Sequence, residues 1–107
     1  MKIFVHDPLD KQWCKDLRAA FPEHTFFENI GSAASCEVGI ISPYRMPIIS
    51  RLDCHNFIVA SSAESVIEAA RANYYGARYV VRGSVDHRNI EAVRQAITEV
   101  TNGIPQR

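Results

Sequence analysis

Polar side chains that could do chemistry recur where short apolar runs of this sequence end. The first run ends in an imidazole and a carboxylate, two later runs end in hydroxyls, and the last ends in a guanidinium. These six residues are His6, Asp7, Ser42, Ser61, Ser62 and Arg82. A guanidinium forms charge-assisted bonds to oxyanions, and an imidazole can act as a general base near neutral pH. If they lie together, the six residues predict a site for an anionic ligand.

Each of these side chains also has a purely structural interpretation. Asp7, directly before Pro8, can cap a helix, because its carboxylate can accept a bond from an N–H group of the first turn. Ser61 can cap a later helix in the same way, and Arg82 can form a structural ion pair with Asp7. His6 can be a half-buried residue at the end of a strand. Residue types and spacing leave both interpretations open.

The usual sequence motifs of catalysis and cofactor binding do not occur in this chain. There is no GxSxG elbow, no GxGxxG or Walker loop, and no pair of neighbouring carboxylates typical of glycosidases. Cys14, Cys36 and Cys54 lack CxxC spacing and are expected to be ordinary thiols in a reducing compartment. The histidines form no HxxxH pair. We therefore expect no catalytic residue of these classes, no cofactor and no metal.

Composition limits the class of protein further. A chain of 107 residues fits one domain, and its 12 basic and 12 acidic residues cancel. Direct binding of nucleic acid is not expected, because it needs a cationic surface. No apolar run approaches the roughly 20 residues that span a bilayer, and the first strand begins at Lys2 without a signal peptide before it. We expect a cytoplasmic protein that binds neither nucleic acid nor membrane.

Five short apolar runs are predicted to be β-strands. They cover residues 2–6, 24–30, 37–42, 56–60 and 77–81. Two connections are too short or too broken for a full helix. Residues 31–35 are small and polar, and in 44–52 the proline at position 47 allows at most a short helix that begins there.

Three other connections are predicted to be α-helices from the signals at their ends. The first follows Asp7 and ends near Phe21, the second begins at a Ser-x-x-Glu capping box at 61–64 and ends at Gly76, and the third runs from near Asp86 to 102–103. Apolar residues at helical spacing are predicted to face the core: Trp13, Leu17, Ala20 and Phe21 in the first helix, Val66, Ile67, Ala70 and Tyr74 in the second, and Ile90, Val93, Ile97 and Val100 in the third.

Strands that alternate with helices predict a parallel sheet with right-handed crossovers. We predict an α/β fold, a flavodoxin-like three-layer sandwich with a five-stranded parallel sheet in the order 2-1-3-4-5 and with shortened second and third helices. The domain is expected to cover residues 1–103, with 104–107 as a tail or linker. Residues 62–81 also fit a β/α-barrel unit, but a closed barrel needs about 200 residues or more. In the predicted fold, ligands bind at the carboxyl ends of the strands.

The order of these pieces resembles the receiver domain of bacterial two-component response regulators. His6 and Asp7 are similar to the family's acidic pair, with only the second acid kept. Residues 43–47, PYRMP, are similar to its D-x-x-M-P segment. Ser61 or Ser62 resembles the hydroxyl residue that ends the family's fourth strand.

The last strand carries the most specific part of the resemblance. Tyr79 falls on the family's aromatic switch position, Arg82 on its lysine position, and Gly83 replaces the proline that usually follows. Phosphotransfer in the family needs an aspartate and a metal ion, and here Pro43 occupies the position of the acceptor. The resemblance therefore implies a degenerate receiver that cannot be phosphorylated.

The resemblance also implies a function through protein–protein contact in signal transduction or scaffolding. In receivers, the face formed by the fourth helix, the fifth strand and the fifth helix mediates dimerisation and output. The residues expected on that face are Arg71, Tyr75, Arg78, Tyr79, His87 and Arg94. Aromatic and arginine side chains are favoured interface anchors. We expect a protein partner, or self-association as a homodimer.

Residues 2–61 are also similar to the flavodoxin-like substrate domain of D-2-hydroxyacid dehydrogenases. This chain carries no nucleotide-binding domain beside that segment, so it is not expected to be such an enzyme by itself. Two other functions remain open. One is binding of a small anion, or a minor enzymatic activity, with Arg82 holding the anion and Asp7 or His6 acting as general base. The other is an orphan domain of a mobile element.

Overall fold

The computed structural model describes residues 1–54, 56–83 and 89–102 of the chain. The strands of this part are β1 (Lys2–His6), β2 (Thr25–Phe27), β3 (Val38–Ile41), β4 (Phe57–Ser61) and β5 (Arg78–Val81). Its α-helices are α1 (Gln12–Ala20), α2 (Val66–Tyr74) and α3 (Ile90–Asn102), and two 3-10 helices cover Ile30–Ser35 and Pro43–Arg51. No helix among these residues is long and apolar enough to cross a membrane.

The strands form one parallel sheet in the order β2-β1-β3-β4-β5. This confirms the predicted flavodoxin-like α/β architecture. β3 and β4 are buried along their whole length, as expected for central strands of a sheet that is covered on both faces. β2 is shorter than predicted, because the Asn29 side chain accepts a bond from the Gly31 N–H and starts the first 3-10 helix there.

Alternate side chains of the strands pack into two separate apolar layers, one on each face of the sheet. One layer packs under α1 and α3 and includes Ile3, Val5, Trp13, Leu17, Val93 and Ile97. The other packs under the 3-10 helices and α2 and includes Phe4, Ile41, Met46, Phe57 and Ala72. In this second layer the ring of Phe57 lies directly over Gly39, where an added Cβ would come 2.7 Å from Phe57 Cε1. The absence of a side chain at Gly39 is therefore what lets the ring pack against β3.

The connections on either side of β3 are 3-10 helices, which confirms that the second and third helices are shortened. The second of them begins at Pro43 and passes through Pro47, whereas the sequence was expected to allow at most a short helix beginning at Pro47. Each 3-10 turn closes on its own by a bond between residues three apart, such as Arg45 N–H to Ser42 O at 3.0 Å and Leu52 N–H to Ile49 O at 3.3 Å. A missing N–H group therefore removes one turn's bond and does not end the segment.

Two predicted helix caps are wrong. α1 begins at Gln12, and Asp7 instead opens a turn in which its carbonyl accepts a bond from the Asp10 N–H at 3.1 Å. The cap of α2 is Ser65 and not Ser61: the Ser65 hydroxyl accepts from the Glu68 N–H at 3.2 Å. A second Ser-x-x-Glu pattern, at 65–68, is thus the one that starts the helix.

The face of α2 that packs on the sheet is also different from the prediction. Val66 (84% exposed), Ile67 (74%) and Tyr74 (84%) point to solvent, and Ala70 is exposed as well, whereas Ala72 is fully buried. The helix is rotated so that its small residues meet the sheet. This rotation follows from the bond between Glu68 and Ser61 of β4, which holds the Glu68 side of the helix inward.

The end of α2 and the core face of α3 match the sequence prediction. Gly76 ends α2 with a φ of 75°, the left-handed conformation that favours glycine. In α3, Val93 and Ile97 are buried while Ile90 and Val100 pack half-buried against them. The predicted start of this helix near 86, and the tail from 103, lie outside the described residues.

Candidate functional site

A cleft of about 410 Å³ opens at the carboxyl edge of the sheet. Five of the six residues predicted for the site line it, because β1, β3, β4 and β5 all end at this edge. These five are Asp7, Ser42, Ser61, Ser62 and Arg82. The sixth, His6, lines a neighbouring pocket beside Lys11, Lys15 and Arg18 of the α1 region, so the prediction that it joins the cleft is wrong.

Arg82 lies at the base of the cleft and is only 6% exposed. Its Nη2 is 3.2 Å from Asp7 Oδ2 and 3.1 Å from Asp10 Oδ2, and its Nη1 donates to Gly83 O at 2.8 Å. The guanidinium carbon lies 4.9 Å from the centre of the Trp13 ring. The structural ion pair between Arg82 and Asp7 is therefore present, and a second carboxylate shares it. Sequence reasoning missed Asp10, whose only signal is its place three residues after Asp7 in a turn.

Tyr44 holds the other oxygen of Asp7. The Tyr44 hydroxyl donates to Asp7 Oδ1 at 3.1 Å and accepts from the Leu9 N–H at 3.0 Å. The Asp7 carboxylate thus accepts from a guanidinium on one oxygen and from a phenol on the other. These contacts, and not a helix N-terminus, determine its orientation.

Ser61 joins the end of β4 to α2 and to the loop between them. Its hydroxyl lies 2.6 Å from both Ala63 O and Glu68 Oε1. Tyr79 stabilises the same loop, because its hydroxyl donates to Ala63 O at 3.2 Å and accepts from the Ser65 N–H at 3.0 Å. Glu68 lines the cleft and was not predicted from the sequence.

Two buried donors at the cleft have no hydrogen-bond partner within the described part of the chain. They are the Ser42 hydroxyl, in a residue that is 1% exposed, and Arg82 Nε. Buried polar groups without partners are uncommon in folded proteins. Arg71 of α2 also lines the cleft, and its exposed guanidinium makes no hydrogen bond or ion pair with residues that the structure describes.

His6 has a structural environment. Arg45 Nε donates to its Nε2 at 3.3 Å, and its ring stacks on Phe4 with 5.9 Å between centres. Burial, and then the charge of Arg45, lower the pKa of His6 below its usual value. The imidazole is therefore neutral at neutral pH and accepts the bond from Arg45.

The residues predicted for a protein interface are divided among several roles. Arg71 turns to the cleft, and Arg78 pairs with Glu99 at 2.7 Å, which lowers the pKa of that carboxyl. Arg94 lies over the ring of Phe21, 4.7 Å from its centre, and bonds Glu91. The remaining predicted residues are Tyr75 and Tyr79, which are half-buried, and His87, which lies outside the described residues.

The three cysteines are buried thiols. Burial, followed by the neighbouring carboxylate of Glu28, raises the pKa of Cys14 to about 11. Burial also raises the pKa of Cys36. Neither is a ready nucleophile, since the thiolate is the reactive form.

Comparisons of the chain with models of protein families, with curated proteins and with solved structures find no match.

Proposed function

We propose that this protein is a receiver-like module that cannot be phosphorylated and that acts through protein–protein contact, by self-association through the exposed face of α2. One observation carries the proposal. The large apolar residues of α2, which an amphipathic helix normally turns to the core, face solvent.

The edge of the sheet supports the first half of the proposal. In the position of the family's phosphoacceptor stand Ser42 and Pro43, and neither carries a carboxylate. The cation at the end of β5, Arg82, is already held by Asp7 and Asp10. This internal ion cluster takes up the charges that a phosphorylated receiver would use for its phosphoryl group.

The exposed apolar residues of α2 form one continuous stripe. Val66, Ala70 and Tyr74 follow each other at four-residue spacing, and Ile67 lies within about 100° of them around the helix axis. Scattered exposed apolar residues are ordinary, but a contiguous apolar patch marks an interaction surface. We call the four residues the α2 stripe.

A second copy of the same chain is the occupant that this stripe fits best. Val66 and Tyr74 lie at equal sequence distances from Ala70, so two antiparallel helices related by a twofold axis at Ala70 would place each Tyr74 against Val66 of the other copy. Alanine at the centre lets the two helices approach closely. The four residues of the stripe carry no charge, and the exposed Arg71 beside them is the charged side chain of α2 nearest to the contact.

Sedimentation equilibrium over a range of concentrations tests self-association. We expect the mass to rise from the 12.0 kDa of one chain towards twice that value. Ile67→Glu should keep the protein monomeric, and it should fold, because an acidic residue in the first helical turn is compatible with the helix dipole. Ile30→Glu, at an exposed apolar residue of the first 3-10 helix, is the matched control and should associate like the wild type. A wild type that is monomeric throughout, or an Ile67→Glu variant that associates equally, contradicts the proposal.

Beryllofluoride tests the missing phosphoacceptor. With Mg²⁺ it mimics a phosphoryl group on an aspartate, and a ligand of the native state raises the thermal midpoint by mass action. We expect no change of the midpoint. An increase that needs both Mg²⁺ and beryllofluoride would contradict the assignment of positions 42 and 43.

A further inference from the structure

The geometry of the cleft points to a binding site for a small zwitterion, a molecule that carries an ammonium group and a carboxylate, as a free α-amino acid does. This inference does not rest on self-association, because none of the four residues of the α2 stripe lines the cleft.

Unpartnered donors at the base of the cleft call for an acceptor from a ligand. Ser42 and Arg82 line the cleft, and the Ser42 hydroxyl and Arg82 Nε are buried beneath its surface without hydrogen-bond partners in the described chain. A buried polar group without a partner is destabilising, because it has lost its hydrogen bonds to water. A carboxylate oxygen that enters the cleft, or a water molecule that it orders, supplies the missing acceptor once the two side chains turn towards it.

Arg71 supplies a cation for the same carboxylate. It projects from α2 to the cleft, and its guanidinium has no ion pair among the described residues. A guanidinium matches the two oxygens of a carboxylate with two parallel N–H groups. Arg82, by contrast, already pairs its Nη2 with the carboxylates of Asp7 and Asp10.

The carboxylate of Glu68 favours a positive group on the ligand as well. Glu68 lines the cleft, and within the described part of the chain only Oε1 of its carboxylate is engaged, by Ser61. An ammonium group of the ligand donates to the other oxygen. An anion without such a group meets this carboxylate uncompensated.

The dimensions of the cleft agree with a small molecule. Its volume of about 410 Å³ lies at the small end of ligand pockets, which measure roughly 300–1,000 Å³. Polar groups of both signs converge on it from α2 and from the loops after β1, β3, β4 and β5. A compact ligand with its two charges close together fits this arrangement.

Isothermal titration calorimetry with each of the twenty standard amino acids is the first experiment. We expect at least one to bind with a Kd of about 1 mM or tighter, which corresponds to roughly −4 kcal/mol. For that amino acid, the methyl ester, which lacks the carboxylate charge, and the N-acetyl derivative, which lacks the ammonium, should each bind at least about tenfold more weakly. Acetate and inorganic phosphate should not bind. If no amino acid binds, or if acetate or phosphate binds as tightly, the inference is wrong.

Variants assign each charge of the ligand to a side chain. Arg71→Gln should weaken the amino acid by at least about tenfold and leave the methyl ester unchanged, because the ester has no carboxylate for Arg71 to hold. Glu68→Gln should weaken the amino acid and leave the N-acetyl derivative unchanged. Arg78→Gln, which alters an arginine paired with Glu99 outside the cleft, is the matched control. Binding that survives both cleft variants would place the site elsewhere and overturn the inference.

The outcome is separate from that of the proposed function. Val66→Glu, which also disrupts the α2 stripe but adds no carboxylate four residues before Arg71, should bind the amino acid like the wild type, because Val66 lies outside the cleft. Loss of binding in this monomeric variant would show that the cleft depends on self-association, which contradicts the independence of the two surfaces.

Discussion

Removal of the Arg82 side chain should destabilise this protein more than any other single truncation of a charged residue at the cleft. Arg82→Ala leaves the carboxylates of Asp7 and Asp10 largely buried and without the cation that lies 3.2 and 3.1 Å from them. It also removes the contact with the Trp13 ring. The free energy of unfolding should fall because two like charges then face each other in a poorly solvated site.

The size of the effect follows from the burial of all three groups. At an effective dielectric constant of about 20, a pair of opposite unit charges about 4 Å apart attracts by about 4 kcal/mol, and desolvation offsets much of this in the intact cluster. Removal of one partner of a buried pair costs about 3–5 kcal/mol, because the remaining charge stays buried. The cation–π contact adds about 0.5–2 kcal/mol. Against a total stability of about 5–15 kcal/mol, the loss is large.

Urea unfolding followed by circular dichroism measures this loss. With a slope of about 2 kcal/mol per molar urea, the midpoint should fall by roughly 2–3 M. Arg78→Ala is the matched control: Arg78 is half-exposed in its pair with Glu99, so its truncation should cost at most about 1 kcal/mol.

A triple variant keeps the argument testable even if Arg82→Ala does not fold. Asp7→Asn, Asp10→Asn and Arg82→Met together remove every charge of the cluster, and a neutral replacement of a buried ion cluster is often tolerated. This variant should regain most of the stability that Arg82→Ala loses. A loss below about 1 kcal/mol in Arg82→Ala, or a triple variant as unstable as the single one, would refute the view that the cluster is a buried, mutually compensating unit.

Three further outcomes follow from local geometry. Ser65→Ala should lower the free energy of unfolding by about 1 kcal/mol through loss of the α2 cap. Ser62→Ala in the same loop should change it little. Equal effects of the two variants in urea unfolding would contradict the assignment of the cap. Gly39→Ala should cost about 1–3 kcal/mol, because the added Cβ would overlap the Phe57 ring, and an unchanged urea midpoint would show that the ring moves freely. Alkylation by iodoacetamide at pH 7 should be slow in the native protein and fast in urea, because the cysteines are buried and the pKa of Cys14 is raised to about 11. A rapid reaction of the native protein would contradict the burial of the cysteines.

The sheet was predictable because its evidence is local and repeated. Each strand is a short apolar run bounded by turn residues, and parallel strands with right-handed crossovers admit few orders. The same logic placed Asp7, Ser42, Ser61 and Arg82 at one edge, since each residue follows or ends a strand. Their meeting in one cleft required no knowledge of side-chain packing.

The other cleft residues were not predictable in this way. Tyr44 and Asp10 lie in a 3-10 helix and a turn, and Glu68 and Arg71 lie on α2. Their places depend on how those segments are oriented against the sheet. The sequence alone contains no repeat or spacing that reports such an orientation.

The α2 stripe shows which property of a helix the sequence determines and which depends on the tertiary structure. The chain alone predicted an amphipathic helix between the Ser-x-x-Glu pattern at 61–64 and Gly76, because the 3.6-residue period and such end signals are properties of neighbouring residues. The structure moved its cap to Ser65. Which face meets the sheet was decided by contacts between distant residues: Ser61 holds Glu68 inward, and Tyr79 fixes the loop before the helix. An apolar period specifies that one side of a helix avoids water, but only the packed fold decides whether the sheet or another molecule covers that side.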